Sequence, residues 1–366
     1  MKRINWVLAW FGLGILMLSL ASASSAQGKK RIIFDQDASG PGGTDMMSLL
    51  VLLQSPDVEV LGVTVVTGDG WRDEEVAHTL RLLELVGRTD VPVLKGAVYP
   101  LVRTKKYTEL WEQLYGKATY KGAWRANGHG PYEIPEMKEG KPSTAPSSED
   151  AAHFLVRMVN EHPNEITIYA GGPMTNLAQA ISIDEKFAEK TRGLIFMGGS
   201  INPHTEVAEF ATNPRHEFNL WFDPEASHIM LTAKWPSIVC TSVDVSLQTK
   251  FSQEMFDEIA KVQTPVAQYI AKYAHPGRGP LWDELSAAAW LEPSMITGIQ
   301  KSYMDISIDH GSSYGDVLIW SEKVKPELEV RMVDIQMTVD MKKFGDFFVK
   351  LMTAPTPGAK DPLMLK

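Results

Sequence analysis

The sequence predicts an α/β fold with a mainly parallel central sheet and helices on both faces. Short apolar runs alternate with segments of helical periodicity along most of the chain, which is the pattern of βαβ units. The apolar runs are nearly continuous, as in parallel strands buried on both faces. The 366 residues are 44% hydrophobic and 22% charged, the composition of a folded globular protein. We expect a single domain over residues 30–366.

The alternation begins at "RIIF", a predicted strand, followed by the predicted helix "TDMMSLLVLLQSP", which ends at Pro56. "VEVLGVTVVTGD" and "VPVLKG" are predicted strands on either side of the helix "RDEEVAHTLRLLELVGR". Gly87 is placed to end that helix. Residues 102–147 are less regular, and we interpret them as an insertion with a helix and a long loop that covers a site.

The alternation resumes after the insertion. The segments "EDAAHFLVRMVNEHP", "MTNLAQAIS" and "DPEASHIMLTA" are predicted helices, and "EITIYAGG", "GLIFMGGS" and "SIVCTSVDV" are predicted strands. We expect mostly helices after Phe251, until "LEVRMVDIQMTVDMKKFGDFFVKLM" closes the chain with a strand and a helix.

Residues 1–26 have the pattern of a secretory signal peptide. Lys2 and Arg3 precede an apolar stretch at 6–21, and small residues follow it. This stretch is short for a membrane span, which needs about 20 apolar residues. We therefore expect a periplasmic or secreted bacterial protein with no stable membrane association after cleavage. An uncleaved anchor is the alternative.

The net negative charge of the chain limits the kinds of partner that it can bind. The formal net charge is −9, and an acidic protein repels phosphate backbones, so we expect no nucleic-acid partner. In open α/β sheets, small ligands bind outside the carboxyl ends of the strands. The residues directly after the predicted strands are therefore the candidates for a site.

The stretch "FDQDASGPGGTDMM" follows the first predicted strand and allows three interpretations. A phosphate-binding loop requires a lysine before Ser or Thr; "GPGGTD" has none, and its acids repel phosphate. A polar turn would use Thr44 or Asp45 as a helix cap. A hard-metal site would join Asp37 and Asp45 to the carbonyl of Gly171 at another strand end, because calcium takes both carboxylate and carbonyl oxygens.

Two later segments also combine polar and aromatic residues. "RHEFNLWFDPEAS" places Glu217 and Asn219 on one side of an extended segment, and an acid beside an amide suits sugar hydroxyls. "GRGPLWDELSAAAW" places Trp282 and Asp283 at a helix start. Surface loop residues in the first segment and an ordinary acidic cap in the second are the alternatives.

Together these segments resemble the inosine-uridine-preferring nucleoside hydrolase family over nearly all of the chain that follows the predicted signal peptide. The resemblance is strongest in "IIFDQD…TDMMSLL", "GVTVVTGD", "LLELVGRTDVPVLKGAVYPL", "GGPMTNLAQA", "FMGGS" and "EFNLWFDPEAS". It implies an α/β fold, a tightly bound calcium ion and hydrolysis of the N-glycosidic bond of ribonucleosides. It also implies a homo-oligomer, either a dimer or a tetramer.

The resemblance implies a role for each candidate residue. The implied metal ligands are the carboxylates of Asp37, Asp45 and Asp283 and the carbonyl of Gly171. Asp37 is also the implied general base, which removes a proton from a water that calcium has made more acidic. The implied substrate-binding residues are Asp69, Asn213, Glu217, Asn219 and Trp282. Glu217 and Asn219 hold the ribose hydroxyls, and Asn213 matches a ribose-binding asparagine at a shortened spacing.

Three departures from the family pattern face the ligand. Thr44 stands where an acid is typical, Asp69 where an asparagine is typical, and Trp282 where a histidine can act as an acid on the leaving base. A tryptophan can stack on a base instead, which predicts a preference for purines. Two alternatives follow: a hydrolase of the same fold that acts on another ribosyl compound, and a non-catalytic envelope protein that binds nucleosides or sugars.

Overall fold

The strands form a central sheet, and the site predicted from the sequence lies at the edge where the parallel strands have their carboxyl ends. A computed structural model describes residues 28–363, and within them the strands form one nine-stranded sheet in the order β3-β2-β1-β4-β5-β6-β9-β7-β8. The strands are β1 Lys30–Gln36, β2 Val58–Val65, β3 Val93–Lys95, β4 Ile166–Ala170, β5 Gly193–Met197, β6 Ile238–Thr241, β7 Ile296–Ile306, β8 Val317–Trp320 and β9 Arg331–Val339. Only the pairings of β7 with β8 and β9 are antiparallel. The chain winds outward in opposite directions from β1 and β4, so a crevice opens at their carboxyl ends.

Helices cover both faces of the sheet, as predicted. They are α1 Thr44–Leu53, α2 Arg72–Val86, α3 Lys105–Tyr115, α4 Ala151–Glu161, α5 Thr175–Ile183, α6 Ala208–Thr212, α7 Phe218–Phe222, α8 Pro224–Thr232, α9 Val243–Ser246, α10 Gln253–Ala260, α11 Pro265–Tyr273, α12 Trp282–Leu291 and α13 Met341–Thr353. One core joins α1, α2 and α12 to the sheet through buried Leu49, Leu80 and Leu285. The other joins α4 and α5 to the opposite face through Leu155 and Leu177.

Most predicted elements are confirmed, and two predictions are wrong. Helix α2 ends at Gly87, whose φ of 74° is the left-handed conformation that glycine tolerates. The segment "SIVCTSVDV" does not stay extended, because the Ser242 hydroxyl caps α9 by accepting the N–H of Val245. Strands β7 and β8 lie where mainly helix was predicted, since they form an antiparallel edge outside the βαβ pattern.

The insertion at 102–147 contains one helix and a long irregular segment, as predicted. The Thr104 hydroxyl caps α3 by accepting the N–H of Tyr107. Beyond α3, the Ala123 N–H donates to the carbonyl of Gly68 at 2.8 Å. The insertion is thereby fixed beside the carboxyl end of β2.

The predicted signal peptide, residues 1–26, lies outside the described residues. Export therefore stays a prediction, as does the predicted homo-oligomer. None of the helices within 28–363 combines the length and the apolar character that crossing a membrane requires.

Candidate active site

A cavity of about 400 Å³ lies at the carboxyl edge of the sheet. All the site residues predicted from the sequence except Asn213 line it: Asp37, Asp45, Asp69, Gly171, Glu217, Asn219, Trp282 and Asp283. Loops after β1, β2 and β4 and the first turns of α1, α7 and α12 contribute these residues. The topology thus brings together side chains that are far apart in the sequence.

Asp37 is held between two glycines. Its Oδ2 accepts the N–H of Asp69 at 2.9 Å. A Cβ at Gly68 would overlap this oxygen, and a Cβ at Gly172 would lie 2.8 Å from the Asp37 carboxyl carbon. Both neighbouring loops therefore need glycine for the Asp37 carboxylate to occupy this position.

Substituting Gly68 tests this packing. We expect Gly68→Ala to lower the free energy of unfolding by about 1–3 kcal/mol, because the added methyl group overpacks the site. We also expect it to lower the hydrolytic activity that the family resemblance implies, because it displaces Asp37. Thermal unfolding and a turnover assay measure the two effects.

Gly311→Ala is the matched control, since a Cβ at Gly311 meets nothing within 4 Å. Wild-type stability and activity in Gly68→Ala would contradict the close contact with Asp37.

Asp45 and Asp283 face each other across the cavity floor, where α1 packs against α12. The Tyr169 hydroxyl donates to Asp283 Oδ1 at 3.1 Å. The Thr44 hydroxyl lies 3.3 Å from Asp283 Oδ2 and 3.1 Å from the Asp283 N–H. A Cβ at Gly171 would lie 2.9 Å from Asp283 Oδ1 and 3.6 Å from Asp45 Oδ1. These contacts place the two carboxylates beside the peptide of Gly171. Together with the Asp37 carboxylate, these groups form the carboxylate floor of the cavity.

The polar-turn interpretation of this stretch is wrong. The N-cap of α1 is Gly43, which makes no side-chain cap, and Thr44 and Asp45 are the first two residues of the helix. Their side chains are directed to α12 and the cavity instead.

The carboxylates of the floor destabilise one another. Burial raises the pKa of Asp37, Asp45 and Asp283 well above the usual range. Neighbouring negative charges raise it further, those of Asp69 and Asp45 acting on Asp37, and those of Asp45 and Glu284 acting on Asp283. Buried carboxylates require a compensating positive charge to stay ionised. Oxygen donors of this kind suit a hard divalent cation.

The donors are close together but do not form a complete coordination sphere. Among residues 28–363, no three histidine, cysteine or acidic side chains make a group ready to hold a metal ion. The Gly171 carbonyl accepts the Asn219 Nδ2 amide at 2.8 Å, which leaves it one further lone pair. The donor chemistry fits a cation, and the carboxylates would have to draw together around it.

Glu217 is immobilised by three backbone donors. It caps α7, accepting the N–H groups of Asn219 at 2.9 Å and of Leu220 and Gly199 at 3.1 Å each. Burial raises its pKa to about 7, against the lowering effect of these hydrogen bonds. The predicted extended geometry is wrong, because α7 begins at Phe218. The surface-loop alternative is also wrong, since Glu217 is buried.

Asn219 lies in the first turn of α7 and faces the same cavity. Its amide Nδ2 donates to the carbonyls of Gly171 at 2.8 Å and Met197 at 3.1 Å. These two contacts fix the plane of the amide. Its Oδ1 is thereby held in one orientation beside the carboxylate floor.

Asp69 is covered by a residue that the sequence pattern did not indicate. The Tyr120 hydroxyl, from the insertion, donates to Asp69 Oδ1 at 2.8 Å. Burial raises the pKa of Asp69 to about 6, and this hydrogen bond lowers it in part. The Tyr120 ring meets Phe218 edge-on, with centroids 4.9 Å apart. Tyr120 was missed because it belongs to no periodic element.

The opposite wall of the cavity is aromatic. The rings of Trp282 and Phe210 meet edge-on with centroids 5.9 Å apart. Glu209, beside Phe210 on the short helix α6, also lines the cavity. The pKa of Glu209 is raised to about 7, mainly by burial and further by the negative charges of Glu217 and Asp69. No sequence pattern indicated Glu209 or Phe210, since α6 is a single turn without amphipathic periodicity.

The structure does not bring Asn213 into this cavity. Asn213 follows the end of α6, lines an adjoining cavity of about 300 Å³ and lies 3.4 Å from Asp316 Oδ1. Glu209 lines both cavities. Asn213 therefore lies away from the ribose-binding position that the resemblance implies for it. Helix α6 instead places Glu209 on the cavity wall.

Comparison with known proteins places this geometry in a family. The family model described as inosine-uridine preferring nucleoside hydrolase matches residues 32–346. Probable uridine nucleosidase 2 of Arabidopsis thaliana is 32% identical over 244 residues, which cover 67% of this chain and 68% of that protein. The pyrimidine-specific ribonucleoside hydrolase RihA of Citrobacter koseri is 27% identical over 283 residues, or 74% of this chain and 82% of that protein.

The fold has a close counterpart among solved structures. A plant nucleoside hydrolase superposes with a TM-score of 0.71 at 25% identity, covering 89% of this chain and 99% of that one. The predicted fold and enzyme class are confirmed. The chain belongs to the inosine-uridine preferring nucleoside hydrolase family.

Proposed function

We propose that this chain hydrolyses the N-glycosidic bond of ribonucleosides and releases the free base and ribose. One observation carries the proposal: a single cavity combines a floor of buried carboxylates with an aromatic wall. Its volume of about 400 Å³ suits a small ligand of this size. The named activities of the Arabidopsis and Citrobacter relatives support the same reaction class.

The cofactor we propose is calcium. The residues that would hold it are Asp37, Asp45 and Asp283 through their carboxylates and Gly171 through its carbonyl. When bound, the ion supplies Lewis-acid activation of water and a positive charge that orients the ribose diol. The mutual repulsion of the three carboxylates supports this assignment.

Asp37 serves as the general base. Its carboxylate, fixed by the Asp69 N–H and confined by Gly68 and Gly172, takes a proton from the attacking water. The water oxygen bonds to C1′ of the ribose as the C1′–N bond breaks, and the electron pair of that bond leaves with the base. The base then takes up a proton, so that one water is consumed for each base and ribose released.

The ribose is held by groups that are already oriented. The Glu217 carboxylate cannot rotate, because three N–H groups hold it, and it accepts from a sugar hydroxyl. The Asn219 amide, fixed on two carbonyls, and Asp69 provide further contacts. Such preorganisation lowers the entropy lost when the sugar is bound.

The base packs against the wall formed by Trp282 and Phe210. Stacking on an aromatic ring suits any flat base, and the predicted purine preference from Trp282 is part of the proposal. The two relatives above are named for uridine and for pyrimidines, so inosine and uridine are the informative pair of substrates.

A substrate panel with and without chelator tests the proposed function. We expect free base and ribose from inosine, uridine or both, and a loss of at least about 100-fold with EDTA that added Ca²⁺ reverses, since several kcal/mol of charge stabilisation are removed. The matching 2′-deoxyribonucleosides, which lack one of the diol oxygens, should react more slowly.

Release of free base from no ribonucleoside in the panel would overturn the proposal. Uridine cleavage much faster than inosine cleavage would remove the purine preference alone.

A further inference from the structure

We propose that Arg278 binds the leaving base and stabilises the negative charge that develops on it, and that Glu284 and Thr44 hold Arg278 in place. The inference deepens the proposed function and rests on it. It concerns the half of the reaction that the carboxylate floor does not serve, which is the departure of the base.

The departing base needs a positive group, and Arg278 provides one. The electron pair of the C1′–N bond leaves with the base, so negative charge builds up on its ring. Trp282 offers stacking to this ring but no ionised group. Among the described residues that line the cavity, Arg278 is the only one with a cationic side chain, and the ionisable neighbours on the floor are acids.

The position of Arg278 suits this role. It lies four residues before Trp282, in the loop that leads into α12, and both residues line the cavity. Backbone contacts anchor this loop on each side of Arg278. The Gly277 N–H donates to the Phe251 carbonyl at 2.7 Å, and the Leu281 N–H donates to the Thr249 hydroxyl at 2.7 Å.

The guanidinium of Arg278 is paired with an acid and is still partly exposed. Its Nη2 lies 2.5 Å from Oε1 of Glu284, which is fully buried. The Arg278 side chain is nevertheless 25% exposed, and the residue lines the cavity. The exposed N–H groups of the guanidinium can therefore donate to the acceptor atoms of a nucleobase.

Thr44 completes the support for Arg278. Its hydroxyl donates to the Glu284 carboxylate and lies 3.3 Å from Asp283 Oδ2. An acid at position 44 would face these two carboxylates as a third negative charge, whereas the hydroxyl is uncharged, donates to Glu284 and accepts the Asp283 N–H. The threonine therefore permits Glu284 to be buried beside the floor, where it orients Arg278.

The chemistry of the guanidinium defines what Arg278 contributes. A guanidinium does not release its proton in proteins, so Arg278 donates hydrogen bonds and stabilises charge, and the base takes its proton from water as it departs. A preorganised donor aimed at developing charge is worth about 10²–10³-fold in rate.

Glu209 is the competing candidate, as an acid that protonates the base. Glu209 lies beside Phe210 on α6, and the negative charges of Glu217 and Asp69 act on it. Arg278 instead pairs with Glu284 beside α12. Of the two residues, only Arg278 offers a positive charge to the departing base, and the comparison of leaving groups separates the two roles.

Comparison of two leaving groups tests this inference. Arg278→Met is assayed with uridine and inosine and with p-nitrophenyl β-D-ribofuranoside, whose leaving group needs little stabilisation. We expect kcat/KM to fall by about 10²–10³-fold for the nucleosides and by less than about tenfold for the nitrophenyl riboside. Calcium binding, measured by calorimetry, should be retained, since Arg278 is not one of the proposed ligands.

Three variants keep the test decisive. Arg157→Met, on the exposed face of α4, is the matched control and should behave as wild type. Arg278→Lys keeps a cation beside Glu284 but lacks the planar guanidinium with its several N–H donors, so it should show a smaller loss with the same selectivity if Arg278→Met fails to fold. Glu209→Gln should affect all substrates to the same extent.

Equal losses on nucleosides and on the nitrophenyl riboside in Arg278→Met would overturn the inference. So would a loss confined to the nucleosides in Glu209→Gln with none in Arg278→Met. If the wild type releases base from no ribonucleoside, the proposed function fails; if it does so and the selectivity is absent, only the role of Arg278 fails.

Discussion

Replacing Asp37 by asparagine is expected to lower kcat for ribonucleoside hydrolysis by about 10²–10⁴-fold, the usual contribution of a general base. Asparagine keeps the size of the side chain and the acceptor for the Asp69 N–H, which lies 2.9 Å from Asp37 Oδ2. It removes the group that takes a proton from water. Steady-state kinetics with saturating calcium measure the effect.

The same substitution is expected to leave the fold intact. Burial and the charges of Asp69 and Asp45 disfavour the ionised form of Asp37, which is why its pKa is raised. Removing one of several buried like charges relieves repulsion rather than breaking an ion pair. The Tm of the calcium-free Asp37→Asn protein should equal or exceed that of the calcium-free wild type, which separates lost catalysis from lost structure.

Asp90→Asn is the matched control. Asp90 is exposed and pairs with Arg88 at 2.9 Å, and exposed pairs contribute little to stability. This variant should retain wild-type kcat. Retention of most of the activity in Asp37→Asn would remove Asp37 from the mechanism.

The sequence predicts the cavity floor well because strand ends are a local signal. A buried apolar run that stops at Asp37, or at a glycine such as Gly171, marks the carboxyl edge of a parallel sheet, and the topology of the sheet then brings these positions together. Asp45 follows from the same rule, since α1 begins at that edge. The role of Asp283 is implied by the family resemblance alone, and the packing of α12 against α1 brings it to the same edge.

The walls of the cavity could not be predicted in the same way. Tyr120 reaches Asp69 from an insertion without periodicity, and Glu209 is on a single-turn helix. Arg278 lies in a loop whose position depends on contacts with Phe251 and Thr249, far away in the sequence. These placements depend on tertiary contacts, and local patterns of hydrophobicity contain no information about such contacts.

The long turn between Asp37 and Asp45 also has a tertiary cause. Gly42 has a φ of 72°, and a Cβ there would lie 2.5 Å from the Tyr273 carbonyl. Its N–H donates to the Tyr269 hydroxyl at 3.1 Å. The extra residues pack the turn against α11, so the glycines allow close backbone contact there and do not form a phosphate site.

Calcium is expected to raise the Tm of this protein more at about pH 8 than at about pH 5. The folded-state pKa values of Asp37, Asp45 and Asp283 lie above the ordinary 3.8. A raised carboxyl pKa stabilises the fold fully below about pH 4, and this contribution is lost as the pH rises through the folded-state value. Without calcium, stability should therefore fall from acid toward neutral pH.

Calcium reverses this trend because it binds the ionised carboxylates. At a free concentration of about 100 times Kd it should add about 2.7 kcal/mol to the free energy of unfolding, and competition with protons makes the gain smaller at lower pH. Thermal unfolding with calcium or EDTA at each pH measures the gain as a difference, which cancels the titration of groups elsewhere in the chain.

The double variant Asp45→Asn/Asp283→Asn isolates the cause. It removes two of the three buried charges, so its calcium-free Tm at about pH 8 should exceed that of the wild type, and added calcium should no longer raise it. A wild-type Tm at this pH that neither millimolar calcium nor EDTA alters would contradict a calcium site on this floor. A response kept by the double variant would place the ion elsewhere, because without Asp45 and Asp283 the floor retains one carboxylate and one carbonyl of the four proposed ligands.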